Sequence, residues 1–111
     1  MSDAKRITWG KPRRPSDADR DALREDLLTR AHAVRADGWA PYRAEWSTGQ
    51  LAVVAYLLGD AEVLAELEES EGAVLTRYAA DLFGFVDGRK DVEKGLTATQ
   101  SWFDTVRKAL A

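Results

Sequence analysis

The chain has 111 residues, a formal charge of −3 and no cysteine. That length suffices for one domain with a real core, and the missing thiols exclude disulfides, zinc–thiolate sites and a cysteine nucleophile; a reducing cytoplasm is the expected compartment. The charge is uneven, because Lys5, Arg6, Lys11, Arg13 and Arg14 against Asp3 give residues 1–15 a net +4, leaving −7 on residues 16–111.

The pattern predicts two regions, a flexible basic arm over 1–15 and a single all-α domain of four to five helices over 16–111. The arm holds two of the three prolines and no apolar segment of signal-peptide length, so secretion is not expected. Ile7 and Trp9 share one face if the arm is extended, which suits docking on the body. After Pro15, Ser16 is placed to cap a helix over 17–36, with Asp17, Asp19 and Asp21 in its first turn and Leu23, Leu27, Ala31 and Val34 on one face. AspGly at 37–38 is its stop.

Residues 38–46, GWAPYRAEW, predict an ordered loop or a single turn, since Pro41 discourages helix at Ala40. Trp39, Tyr42 and Trp46 either pack on the core or form an exposed aromatic patch for a partner. Ser47 and Gln50 then fit a capping box that opens a helix over 48–58, with Trp46 and Leu51 as its hydrophobic staple. The run from Leu51 to Gly59 is too short to span a bilayer, which takes roughly 20 residues, so it predicts a buried central helix rather than a membrane segment. Asp60 caps a third helix over 61–69, and a fourth over 70–83 carries Val74, Leu75, Tyr78, Ala79 and Leu82. FGFVDGRK, 83–90, reads as a loop, with a strand pairing to the arm as its alternative. Val92, Leu96, Thr99, Phe103, Val106 and Leu110 predict a last helix over 91–109, with Gly95 as a possible break.

No constellation of catalytic residues emerges. His32 stands alone, without a second metal-ligand residue or a triad around it, and no phosphate-binding glycine loop is present. The expectation is a non-enzymatic protein without metal or cofactor, unless two carboxylates meet in a cleft. Ala55 and Gly59 have the spacing of a helix-turn-helix, but the segment that would enter the groove, 60–71, carries six acids and no base. That charge opposes the phosphates and excludes this docking mode.

Partner recognition remains. Glu62, Glu66 and Glu69 form an acidic face that suits a basic protein surface, and Trp39 and Tyr42 form the aromatic candidate. The runner-up is nucleic-acid association through Lys5, Arg6, Trp9, Lys11, Arg13 and Arg14, in which the indole stacks on a base between basic clusters. Homodimerisation is a further route to covering an apolar face.

The segment WSTGQLAVVAYLLGD, 46–60, resembles a motif of small uncharacterised proteins of actinobacteria and their phages, in which a Trp-Ser/Thr-Thr-Gly stretch opens an apolar helix. The resemblance covers about fifteen residues and implies a phage or prophage origin, consistent with 18 alanines and 11 arginines against 5 lysines, a usage typical of GC-rich genomes. It implies no activity and no site. The combined expectation is a small cytoplasmic accessory protein acting by protein–protein interaction.

Overall fold

The computed structural model describes residues 14–111, and among these the chain forms six α-helices and no strand. The helices are α1 Asp17–Asp37, α2 Thr48–Leu58, α3 Ala61–Glu66, α4 Glu71–Phe83, α5 Phe85–Glu93 and α6 Thr97–Leu110, with a 3-10 turn at Ala40–Tyr42 before α2. The all-α expectation holds.

α2 is the central post. Leu51 to Leu57 are buried without interruption, and the helix packs against α1, α3, α4 and α6. An amphipathic pattern would serve no purpose in a helix with neighbours on nearly every side. Phe103 of α6 anchors the opposite wall, fully buried and edge-on to Tyr56, Tyr78 and Trp102 at centroid distances of 5.3, 5.7 and 5.0 Å.

Local chemistry sets the helix starts. Ser16 and Asp19 form a capping box on α1, and Ser47 and Gln50 form the predicted one on α2, with Gln50 N donating to Ser47 Oγ at 3.1 Å and Ser47 N to Gln50 Oε1 at 3.0 Å. Ser47→Ala is therefore expected to cost about 1 kcal/mol, read from the denaturant midpoint. Gly59 closes α2 in the left-handed region at φ 71°, and its neighbour Asp60 N donates to Ala55 O at 2.8 Å. Trp46 is half-buried, stacked on Tyr42 at 4.5 Å with the Arg30 guanidinium 4.9 Å from its ring centre.

Helix ends are closed from a distance, by arginines. Arg20 of α1 donates to Leu82 O at 2.8 Å, Arg35 of α1 to Leu110 O at 2.6 Å, and Arg107 of α6 to Tyr56 O at 2.6 Å while lying over the Tyr56 ring. Three helices thus have terminal carbonyls satisfied by a cation on a neighbouring helix, where the dipole favours positive charge.

Three boundaries differ from the sequence reading. α3 stops at Glu66 rather than 69, because Glu68 turns left-handed at φ 58° and Glu69 N donates to Leu64 O at 3.0 Å. The stretch 83–90, predicted as a loop, instead supplies most of α5, set off from α4 by Gly84 at φ 92°. The predicted helix 91–109 is two pieces, divided at the break that Gly95 offers in the sequence, since Gly95 at φ 87° and Leu96 at φ 64° reverse the chain between α5 and α6. That reversal resets the helical phase. Val92, expected on the core stripe, is exposed, while Thr99, Phe103, Val106 and Leu110 keep their predicted inward positions.

Candidate functional site

α5 lies against α4 at unusually close range. Gly88 is buried, and a Cβ on it would sit 2.6 Å from Ala79 O and 2.9 Å from Ala80 Cα, so only the absence of a side chain permits this approach. The contact fixes the rotation of α5 about its axis. Asp91 turns inward, and Phe85 and Val92, three residues before and four after Gly88, flank the seam with α4.

Asp91 is the most engaged side chain of α5. It is 6% exposed and closes the start of α6, where Leu96 offers no side-chain cap: Oδ1 accepts from Ala98 N at 3.0 Å, and Oδ2 accepts from Thr99 N at 2.9 Å and Thr99 Oγ1 at 2.6 Å. Burial alone would push its carboxyl up, but the Thr99 hydroxyl, the Ala98 and Thr99 amides and the Lys94 ammonium together hold it below the ordinary carboxylate value. Asp91 shares a groove of about 520 Å³ with Asp87, Arg14, Arg20, Lys90 and Lys94. This is the cleft with two acids that would revive an acid–base reading. Asp91 is committed to α6, and Asp87 pairs with Arg14 at 2.7 Å.

The opposite side of α5 is apolar. Phe85, Val86 and Val92 are 65%, 59% and 38% exposed, the large hydrophobic side chains left uncovered among the described residues. A groove of about 320 Å³ runs beside Phe85 and Val92 between α4 and α5, lined by Thr76, Ala80, Phe85, Gly88, Arg89 and Val92. Covering the three exposed side chains releases roughly 4 kcal/mol, before association costs. That is a hot spot's share of a binding energy, not a whole interface.

The sequence-selected residues lie elsewhere, and most have internal duties. Glu62 is exposed on α3, Glu66 pairs with Arg43 at 2.8 Å, and Glu69, beyond the end of α3, pairs with Arg77 at 2.9 Å. Two of the three charges in the acidic face are thus already matched. Trp39 is half-buried and donates its indole N–H to Asp60 Oδ2 at 3.0 Å, while Asp60 Oδ1 caps α3 through Val63 N. Tyr42 is half-buried, and Asp37, accepting its hydroxyl proton, pushes the phenol above its ordinary value. Both rings pack on the core as one of the two readings had it. Lys5, Arg6, Trp9, Lys11 and Arg13 lie outside the described residues; Arg14 is exposed and ion-paired. His32 is exposed on α1, and no group of three metal-ligating side chains occurs among the described residues.

The groove went unpredicted because one of its walls, Phe85, Gly88 and Arg89, sits in the stretch read as a loop, and Val92 was placed on the core stripe of the last helix. One signal points to it: Phe85, Gly88 and Val92 recur at i, i+3 and i+7, the spacing of a single helical face. No family model, curated protein or solved structure matches this chain. Among the described residues, no helix is long and apolar enough to cross a membrane.

Proposed function

We propose that this protein is a small non-enzymatic accessory protein that binds another protein through the apolar groove between α4 and α5. One observation carries the reading. Among the described residues, the uncovered large hydrophobics all belong to a single short helix, and two of them, Phe85 and Val92, line one apolar depression, whereas scattered single exposures would need no explanation. Arg89 on the groove's edge adds a charged rim to an apolar centre, the arrangement of protein interfaces.

The acidic and aromatic candidates take second place, since Glu66, Glu69, Trp39 and Tyr42 already have partners within the chain. The absence of cysteine supports a cytoplasmic setting. The likeness of residues 46–60 to actinobacterial and phage proteins supports a phage or prophage origin.

The test is affinity capture with the wild type and with a Phe85→Ser, Val92→Ser double variant. Both substitutions are on exposed positions, so the melting temperature is expected to stay within a few degrees of wild type. The expected result is a partner held by the wild type and weakened at least tenfold in the variant. Equal retention, with loss instead on Glu62→Lys or Trp39→Ala, would move the interface to α3 or the aromatic turn.

A further inference from the structure

The groove's lining specifies the chemistry of what fills it. We infer that the partner presents an amphipathic α-helix with a carboxylate beside its apolar residues, the helix lying along α5 and the carboxylate meeting Arg89. This rests on the groove being the partner site and names the class of ligand it takes.

Spacing sets the apolar part. Phe85 and Val92 stand two turns apart on α5, about 10 Å along its axis. Between them Gly88 has no side chain, and Ala80 of α4 lies directly against it. The groove is thus raised at both ends and low in the middle, a shape that takes one bulky apolar side chain while its neighbours a turn away rest on Phe85 and Val92. Residues at i, i+3 or i+4, and i+7 of a partner helix have that spacing.

The helical form follows from the backbone. Of the lining residues, only Thr76 and Arg89 carry polar side chains. An extended peptide laid there would bury amides and carbonyls with few partners, and no strand among the described residues offers an edge to pair them. A helix brings its backbone already paired.

Arg89 calls for the carboxylate. Every other arginine among the described residues pairs with a carboxylate or donates to a carbonyl of the chain. Arg89 is exposed and its guanidinium has no such partner among them, Glu93 one turn on included. It stands four residues after Phe85 and three before Val92, so an acid within one turn of the partner's central apolar residue reaches it. Guanidinium and carboxylate then form a charge-assisted pair. A second copy fits less well, because a two-fold contact of groove on groove would set the two Arg89 side chains against each other.

The test uses the full chain, with a displayed library of random peptides of roughly 16 residues, about four helical turns, as the probe. Peptides are selected on the wild type and depleted on the Phe85→Ser, Val92→Ser variant, so that groove-dependent binders remain. The expected winners carry apolar residues at i, i+3 or i+4, and i+7 with Asp or Glu within one turn, and gain helical circular dichroism on binding. They are expected to bind Arg89→Glu at least fivefold more weakly, and changing the peptide's acid to Lys is expected to restore binding to that variant. Winners that are basic, uncharged or extended, or that are insensitive to Arg89→Glu, would overturn the inference while leaving the groove as the partner site. A lack of groove-dependent winners would overturn it too. So would sedimentation of the full chain as a dimer that Phe85→Ser with Val92→Ser dissociates, which would assign the groove to a second copy. The capture experiment is scored separately, since a partner of any chemistry held through the groove supports the site alone.

Discussion

Gly88→Ala is expected to destabilise the protein by about 2 kcal/mol, although the same change in a solvent-exposed helix interior would stabilise it by about 1 kcal/mol. The sign is decided by space. The added methyl would meet Ala79 O at 2.6 Å and Ala79 C at 2.8 Å, and these are backbone atoms in the middle of α4 that cannot rotate aside. Relief requires α5 to shift away from α4, opening the most extensive helix pair in the fold. For a domain of this size the melting temperature should fall by roughly 10 °C. A melting temperature equal to or above wild type would show that the two helices do not approach as closely as described.

Asp91→Ala is the second large effect, expected at about 3 kcal/mol, since it removes the charged acceptor of two amides and a hydroxyl at the start of α6. Thr99 is fully buried, so its hydroxyl and amide find no ready substitute in water. The effect carries a pH signature. The folded carboxyl titrates below its ordinary value, near 3.9 in an unfolded chain. The stabilisation is thus fully present above about pH 4 and is lost as pH falls through the lowered folded value. Denaturant unfolding of wild type and variant is expected to show a constant gap from pH 5 to 7 that narrows in more acid solution. A gap that widened on acidification would contradict the assigned direction.

These two residues also mark where sequence reasoning stops. α1 and α2 were legible because their signals are local: Ser47 and Gln50 lie three residues apart, and Gly59 directly follows the last apolar position of α2. Gly88 carries the opposite local signal, that of a helix breaker, while its reason lies across the interface at Ala79. Val92 kept a plausible four-residue spacing to Leu96, but the left-handed backbone at Gly95 and Leu96 cancels that phase relation. The arginines show the same limit. Arg20, Arg35 and Arg107 look like solvated charges on amphipathic helices, yet each reaches a carbonyl 50 to 75 residues away in sequence. At the candidate site, the acid content of residues 60–71 was visible at once. Its neutralisation was not, because Arg43 and Arg77 approach Glu66 and Glu69 from outside that stretch.

The central claim is that the exposed face of α5, rather than the acidic face of α3, meets the partner. Site-specific photocrosslinking tests it most directly, because Val86→Cys and Glu62→Cys variants each offer a single thiol for a benzophenone maleimide in a chain that has none of its own. On irradiation in extract, position 86 is predicted to yield a discrete adduct at least five times stronger than any from position 62. Adducts from position 62 alone, or equally from both, would contradict the account.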